Sequence, residues 1–421
     1  MNLQDGKILN LSELVLSLRI ILELIELRMM LKNCLCLIVF IFLSCTGVSN
    51  MEKTRDIPPL DPKGKVYKTL GPTDYSRYPR CIGELRTAFV FVDFPGHSST
   101  KDPLKLAAEL TAGDKAANWF KNQSYSKMTM KFEVPSAEWR TMSKKPNAYE
   151  SRTTAGHRTY IAEALNLYPE IDFTKYEFVV IIPSNEKRMS VGTACFSVRK
   201  GNGAKTKYGT VDRGVTFGSS TFSETRYYTL IHELGHAMSL PDTYDYSIKG
   251  LLHREVVGPW DLMCDTGNGA NFLGWHRHKL EWLDKSCKHY LTEKDFTVTL
   301  NKLNDSKNLS MLVIPTDNVE NPSKVFVIEL ALPIRASGKD LDPKNPYGDG
   351  ILVYSVDARL ATGTRPLVMY PKSKEYSKIY SYTYKAPYLE GDIFKHEDAP
   401  FTMEVLKRNK SGSYKIRILQ K

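Results

Sequence analysis

Unbroken apolar runs alternate with amphipathic stretches through the first part of the chain. Residues 87–94 and 177–182 are apolar runs of strand length, which is typical of strands buried on both faces. Residues 103–121 and 155–168 carry apolar side chains at helical spacing, and residues 128–134 alternate in the manner of a half-buried strand. Buried strands separated by helices predict an α/β body.

The pattern changes after about residue 290. Before that point, residues 185–214 are polar and contain several glycines, which predicts a long loop or a loose hairpin. Short strand-like runs separated by turn residues then follow at 296–302, 310–315, 324–332, 350–356, 401–405 and 413–419. We therefore expect an α+β protein, with one domain over residues 85–290 and a smaller all-β C-terminal module over residues 291–421.

The first 49 residues indicate export. Residues 34–43 form an apolar stretch of signal-peptide length, preceded by Lys32 and followed by small residues. The stretch is too short to span a bilayer comfortably. We expect a secreted or cell-surface protein, held at a membrane only by a retained signal anchor or by a lipid on Cys45. Residues 50–84 are rich in proline, which predicts an extended lead-in or the remnant of a pro-segment.

Composition narrows the class of protein. Of 421 residues, 42% are hydrophobic and 25% are charged, an ordinary globular balance that argues against disorder or a polytopic membrane protein. Lys and Arg number 58 against 47 Asp and Glu, giving a net charge of +11. The excess is spread along the chain without a basic run, so we predict no nucleic-acid partner.

Cysteine usage leaves disulfide bonds open. Once the export segment is set aside, four cysteines remain, namely Cys81, Cys195, Cys264 and Cys287. In an exported protein an even number permits two disulfide bonds, and the sequence cannot choose their connectivity. No Cys-x-x-Cys pair is present, which argues against a cysteine zinc site.

One segment carries metal-binding chemistry. The capping pattern of residues 221–224 predicts that a helix begins near residue 222. On that helix His232 and His236 lie four residues apart, which places both imidazoles on one face about 6 Å apart along the axis. Glu233 lies beside this face, where a carboxylate can accept a proton from water without filling the coordination shell.

A catalytic zinc usually has three protein ligands, so a third is needed. Pro241 turns the chain off the helix axis, and Asp242 could return towards the metal. On spacing alone, Asp242 and Asp245 could equally be ordinary turn residues. Glu255 is a further alternative, because its distance from His236 is near the spacing of thermolysin-like third ligands.

The segment His232–Asp242 resembles the extended zinc signature His-Glu-x-x-His-x-x-Gly-x-x-Asp of metzincin metallopeptidases. It is most similar to the immune inhibitor A family of secreted proteases, in which Leu-Pro-Asp-x-Tyr-Asp is typical. The stretch Gly258–Met263 resembles the Met-turn of that family. Looser agreement is found at residues 89–94, 124–128, 272–283 and 348–357.

The resemblance implies a metzincin-like catalytic domain, with a twisted mixed sheet, an active-site helix and a Met-turn. It implies a zinc endopeptidase that acts on protein or peptide substrates. As a separate hypothesis, we expect the extended peptide to pair with an edge strand within residues 190–218 by β-augmentation. Glu233 would be the general base and Met263 the hydrophobic floor of the site. The implied ligands of the single catalytic Zn²⁺ are His232, His236 and Asp242.

The sequence departs from the family pattern at two places. Ser239 stands where the pattern has Gly, and no Tyr follows Met263 at the position of the usual transition-state donor, so Tyr244 and Tyr246 are candidate substitutes. Some relatives bind Ca²⁺, for which the candidates here are Asp340, Asp342 and Asp349. The rival hypothesis from another class is a catalytically silent surface protein that kept the fold for binding.

Overall fold

A computed structural model of the protein describes residues 56–64, 68–184, 193–218, 226–248, 256–267, 271–332, 349–372 and 385–421. All of them belong to one compact unit, Arg55–Lys421. The expected export signal and Cys45 lie outside the described residues. Within the described part, none of the helices has the length and apolar character needed to cross a bilayer.

A six-stranded sheet forms the first layer. Its strands are β1 (Gly83–Asp93), β2 (Met128–Glu133), β3 (Trp139–Thr141), β4 (Phe178–Pro183), β5 (Ala194–Ser197) and β8 (Arg213–Thr216). The order is β2-β1-β4-β8-β5, with β3 also pairing with β1. The β5 strand is antiparallel to β8, and the other pairs are parallel, so the sheet is mixed.

The apolar run of β1 is buried on both faces, as its pattern predicts. Phe89 and Phe91 point into one core, while Val90 and Val92 point into another. The polar stretch 185–214 was expected to be a loop or loose hairpin. A small hairpin of β6 (Ala204–Thr206) and β7 (Gly209–Val211) bears out the second alternative in its described part, which also contains β5 and the start of β8.

Five helices accompany the sheet in the described chain, namely α1 (Pro103–Thr111), α2 (Lys115–Gln123), α3 (Thr154–Asn166), α4 (Arg226–Ala237) and α5 (Gly274–Lys279). The helical periodicity over 103–121 is confirmed, but it belongs to the two helices α1 and α2. Ala112 and Gly113 adopt φ values of 50° and 63°, which end α1 in a left-handed turn. Periodicity alone did not reveal this break, since both halves keep their apolar residues at helical spacing.

Two further sheets follow α5. One has the order β14-β13-β12-β11-β9 and the other β10-β17-β16-β15. The strands are β9 (Lys288–Tyr290), β10 (Asp295–Leu300), β11 (Met311–Pro315), β12 (Lys324–Leu330), β13 (Ile351–Asp357), β14 (Leu367–Met369), β15 (Ile393–Lys395), β16 (Phe401–Arg408) and β17 (Tyr414–Gln420). The α+β class predicted for the chain is confirmed.

The five-stranded sheet is covered on both faces. Phe326 and Ile328 of β12 pack against the four-stranded sheet, in a core that contains Phe401. Val325 and Val327 point the other way, into a core shared with the chain around α5. This second core, which we call the seam, joins the β-rich sheets to the rest of the molecule.

The proline-rich lead-in is part of the seam. Ile57, Leu60 and Leu70 are buried there. The indole nitrogen of Trp275 in α5 donates a hydrogen bond of 3.0 Å to the Leu70 carbonyl oxygen. The described lead-in therefore packs as a structural element of the compact unit.

The two disulfide bonds that the cysteine count permits are not formed, because all four described cysteines are free thiols. Cys81 is buried in the core beside the first sheet, whereas Cys264 and Cys287 are buried in the seam. Cys195 lies on β5, where its Sγ accepts a hydrogen bond from Lys68 Nζ at 2.9 Å. Burial raises the pKa of Cys81 and Cys264, so these two side chains act as buried apolar thiols.

Candidate metal centre

Helix α4 carries the first part of the site. Its apolar face, with Leu230, Ile231 and Leu234, is buried against the first sheet. This anchoring orients His232 and His236 together, with their ring centroids 4.6 Å apart. The predicted capping residues 221–224 lie outside the described residues.

The chain reverses directly after the helix. The Leu240 amide donates to the Gly235 carbonyl oxygen at 2.9 Å, and Ser239 adopts φ of +91°. A serine is strained in this left-handed region, which glycine adopts more easily. The reversal nevertheless forms with serine, and it brings Asp242 back to the histidines.

The three predicted ligand side chains converge. Asp242 Oδ1 lies 3.2 Å from Nε2 of His232 and 3.2 Å from Nε2 of His236. Zn–N and Zn–O distances of about 2.0–2.1 Å in a tetrahedral site require ligand atoms about 3.3 Å apart. Within the described residues, Asp242 Oδ1 is buried and accepts no hydrogen bond while both Nε2 atoms are unprotonated, which is what a metal-facing oxygen requires. This donor set fits zinc.

The ring orientation of both histidines is fixed by backbone carbonyl groups. His232 Nδ1 donates to the Leu262 carbonyl oxygen at 3.0 Å, and His236 Nδ1 donates to the Leu240 carbonyl oxygen at 2.7 Å. These bonds assign the tautomer, so each Nε2 presents its lone pair towards Asp242. Such outer partners are the usual means of orienting metal-binding histidines.

The site is strongly polarised. Burial opposes the charged form of Asp242, but the neighbouring His236 and His232 outweigh it and hold the pKa of that carboxyl well below its usual range. Burial also opposes protonation of His232, but the hydrogen bond and charge of Asp242 raise its pKa to about 9. A proton on His232 competes with a metal ion, so the site should lose metal as the pH falls.

A distant loop holds the other side of Asp242. The Tyr246 hydroxyl donates to Asp242 Oδ2, and Thr362 Oγ1 lies 3.4 Å from the same oxygen. The Asp242 amide donates to Thr362 Oγ1 at 2.9 Å, and the Gly363 amide donates to the Asp242 carbonyl oxygen at 3.1 Å. Thr362 and Gly363 follow β13, and nothing in their local sequence indicates this role.

The two candidate donor tyrosines differ in position. The Tyr246 side chain is 56% exposed while its hydroxyl contacts Asp242, whereas Tyr244 packs partly into the seam. Their rings lie 5.4 Å apart. Burial and the charge of Asp242 raise the pKa of both phenols, so both remain protonated donors at neutral pH.

Glu233 lies beside the ligand group without belonging to it. Among the described residues, the group of metal-ligating side chains consists of His232, His236 and Asp242, with ligand atoms within 4.8 Å of one another. Glu233 is buried next to His232 on the helix. Cys195 of β5 lies within the electrostatic reach of Glu233 and Asp242, whose charges add to burial in raising its pKa. Lys68, which bonds to Cys195, was not singled out by sequence reasoning.

Met263 forms a buried layer against the helix. A Cβ at Gly235 would lie 2.8 Å from Met263 Sδ, so this close approach requires the glycine. The Met263 carbonyl oxygen accepts a hydrogen bond from Thr243, and its amide donates to Asp261 Oδ1 at 3.2 Å. Asp261 Oδ2 lies 3.0 Å from His276 Nδ1, and both side chains are fully buried.

Among the described residues, the calcium candidate Asp349 does not join this group. Asp349 accepts from Arg408 at 3.0 Å and from Tyr414 at 3.2 Å, so its carboxylate is already engaged and calcium is unsupported. Asp340, Asp342 and Glu255 lie outside the described residues.

Part of the chain matches a known family. Residues 116–243 match the family model described as metallo-peptidase family M12B, reprolysin-like. The match begins in α2 and ends one residue after Asp242, so it contains Glu233 and all three members of the ligand group. No curated protein matches the chain. Over the segment that carries the site, the chain is therefore similar to zinc-dependent metallopeptidases, and the match supports a peptidase acting on proteins or peptides.

Proposed function

We propose that the protein is a zinc-dependent endopeptidase of the metzincin type, similar to the immune inhibitor A family. The observation that carries the proposal is the convergence of one Asp242 oxygen on both histidine Nε2 atoms at 3.2 Å, with Glu233 adjacent. This convergence supports Asp242 over Glu255 as the third ligand. The turn around Met263 supports a Met-turn beneath the site.

His232, His236 and Asp242 would hold the ion. When bound, zinc supplies Lewis-acid polarisation of a peptide carbonyl and lowers the pKa of water near it. Glu233 takes the proton from the attacking water and passes it to the leaving amine. Tyr246 donates its hydroxyl proton towards the developing oxyanion after releasing Asp242, and its neutral, partly exposed phenol suits that role.

The substrate would lie along β5. In the described part of the chain β5 is an end strand of its sheet and pairs only with β8. An extended peptide can add to such an edge through main-chain hydrogen bonds. Helix α4, which carries Glu233, packs against β5, so a peptide bound along β5 would lie close to the general base.

Export is a separate proposal. It is supported by the apolar stretch at residues 34–43 and by the resemblance to the immune inhibitor A family, whose members are secreted proteases. Amino-terminal sequencing of the mature protein tests it, because retention of residues 1–49 in a cytoplasmic product would contradict export.

The decisive experiment compares wild type with Glu233→Gln on casein and on a fluorogenic peptide. We expect the variant to lose about 10²- to 10⁴-fold in rate, the usual contribution of a general base, while it keeps stoichiometric zinc. Chelation should abolish wild-type activity and zinc should restore it. Equal cleavage by both proteins would contradict the assigned base. A zinc-loaded wild type that cleaves nothing would favour the catalytically silent binding protein.

A further inference from the structure

A wide groove lies next to the end strand of the first sheet. Its volume is about 850 Å³, and its walls come from the first half of α3, from β5 and from the residues that lead into β6. Ile161 and Phe196 contribute apolar surface to it. The groove therefore borders the strand on which the proposed function places the substrate.

The groove is basic. Its lining includes Arg152, Arg158 and Lys205 and contains no Asp or Glu among the described residues. These three side chains are in exposed positions, and none of them forms an ion pair with a carboxylate of the described chain. The three cations thus lie at one groove without an ion-pair partner among the described residues, while Asp212 Oδ1 accepts from the amide of the lining residue Gly203 at 2.8 Å.

Two other basic side chains at the groove have partners of their own. The Arg77 guanidinium donates to the Ser197 carbonyl oxygen at 2.9 Å. His157 shares a hydrogen bond of 2.8 Å with Thr216, and burial lowers its pKa, so it is neutral at neutral pH. Arg77 keeps its positive charge but is committed to the Ser197 carbonyl, so the exposed cations of the groove are Arg152, Arg158 and Lys205.

The two faces of β5 lead to different places. The Phe196 ring packs on the α3 side, against the core that contains Ile161 and with its centroid 6.3 Å from that of His157, whereas the charges of Glu233 and Asp242 reach Cys195, whose Sγ accepts from Lys68. Side chains of a strand alternate between its faces. A peptide paired with β5 would therefore direct every second side chain towards the metal centre and the others towards the basic groove.

We propose that this groove is a substrate subsite that selects acidic side chains, so that the preferred substrates are polypeptides with Asp or Glu near the cleaved bond. The inference rests on the proposed function and narrows its substrate class. The apolar floor suits the methylene groups of a glutamate side chain, and the three cations suit its carboxylate. A peptide is favoured over a polyanion because the cations sit beside a strand edge, which recognises a main chain.

The test uses pairs of fluorogenic peptides that differ only by Glu or Gln, with that residue moved through the positions flanking the cleavage site. For the best position, we expect wild-type kcat/KM for Glu to exceed that for Gln by about two- to fivefold for each cation in contact, given the usual strength of exposed ion pairs. In the variant Arg152→Gln/Arg158→Gln/Lys205→Gln this ratio should fall to about one, because kcat/KM for the Glu peptide drops towards that for the Gln peptide.

The matched control is Lys407→Gln/Lys410→Gln/Lys415→Gln, which removes the same charge from exposed positions around β16 and β17. It should keep the Glu preference. The single reversal Arg158→Glu should instead favour Lys over Glu in the substrate. The preference should also shrink with added salt, because exposed charges are screened over about 8 Å at physiological ionic strength.

Binding separates this inference from the proposed function. Labelled Glu and Gln peptides are titrated against Glu233→Gln, so that affinity is measured without catalysis. Loss of all peptide cleavage with a retained Glu preference in binding would contradict the proposed function and support the subsite. Equal binding and cleavage of Glu and Gln peptides, or a preference that survives the triple groove variant, would overturn the subsite. Competition by a sulfated oligosaccharide at lower concentration than the Glu peptide would also overturn it.

Discussion

The two halves of the candidate metal centre are built in different ways. His232, Glu233 and His236 lie on one helix, whose buried face fixes them against the first sheet. Asp242 lies beyond a strained reversal and is held by Tyr246, Thr362 and Gly363. The helical half depends on local sequence, whereas the aspartate half depends on a loop from the β-rich part of the chain.

This difference has a physical consequence. Helix geometry sets the spacing of the two histidines whatever the rest of the chain does. The position of Asp242 depends on contacts that exist only when the seam has formed, because Thr362 follows a strand of the five-stranded sheet. The metal centre is thus complete only after the β-rich sheets have docked.

Removal of the aspartate should have the largest effect. Asp242→Ala leaves both histidines in place through their bonds to Leu262 and Leu240, but only two ligands remain. We expect zinc affinity to fall by more than the roughly 100-fold loss known for outer-shell partners. Metal analysis and competition with a chromogenic chelator measure the change.

Two parallel variants make the result decisive. Asp245→Ala removes a nearby carboxylate that is bonded to Ser247 and should keep its zinc. If Glu255→Ala empties the site and Asp242→Ala does not, the assignment of the aspartate as third ligand is wrong.

The seam should show a distinct pH dependence. Glu329 is buried there and accepts hydrogen bonds from the Gly274 amide and the Tyr354 hydroxyl. Burial raises its pKa to about 7 from 4.5. The folded state holds this proton more tightly than the unfolded state, so its contribution to stability is complete below pH 4.5 and is lost as the pH rises through 7.

The loss amounts to about 3 kcal/mol at most, from the free energy equivalent of the pKa change. The free energy of unfolding, measured with urea, should therefore fall less between pH 5 and pH 8 for Glu329→Gln than for wild type. Glu397→Gln, at an exposed position, serves as the control and should follow wild type. Parallel curves for Glu329→Gln and wild type would refute the role of this carboxyl.

A smaller change disturbs the aspartate half alone. A Cβ at Gly363 would lie 2.2 Å from the Tyr246 ring, so Gly363→Ala must displace either the tyrosine or the loop. We expect zinc affinity to fall by about 10- to 100-fold, the usual cost of losing an outer-shell partner. Isothermal titration with zinc measures it.

Gly391→Ala separates the clash from backbone strain. Gly391 also has a positive φ, of 87°, but no neighbour lies within 4 Å of the added Cβ. Gly391→Ala should lower the free energy of unfolding and leave zinc affinity unchanged. A similar loss of affinity in both variants would mean that the contact of Gly363 with Tyr246 is unimportant.

The smallest effect on stability and zinc affinity is expected at Ser239, in the chain reversal after α4. Ser239→Gly relieves a positive φ but removes the contact of 3.2 Å between Ser239 Oγ and Thr73 Oγ1 and adds freedom to the unfolded chain. These opposing terms should leave the free energy of unfolding within about 1 kcal/mol of wild type. Zinc affinity should be unchanged, and a clear loss would show that serine itself is needed.

Sequence patterns predicted most elements because burial on one or both faces leaves a period in the chain. The runs at 87–94 and 177–182 became β1 and β4 with small shifts at their ends. The errors fell where backbone conformation or long-range partners decide. The left-handed turn at Ala112 divided a helix, and the polar stretch 185–214 gained strands because β5 pairs with β8.

By itself, the sequence determined the spacing of His232, Glu233 and His236, since helix geometry converts a four-residue interval into a shared face. It also offered Asp242 among several candidates. Only the tertiary structure decided that Asp242 returns to both histidines, that Thr362 and Gly363 hold it, and that the four described cysteines form no disulfide bond. The hold of Thr362 on Asp242 joins residues 120 positions apart, and such a contact leaves no local pattern.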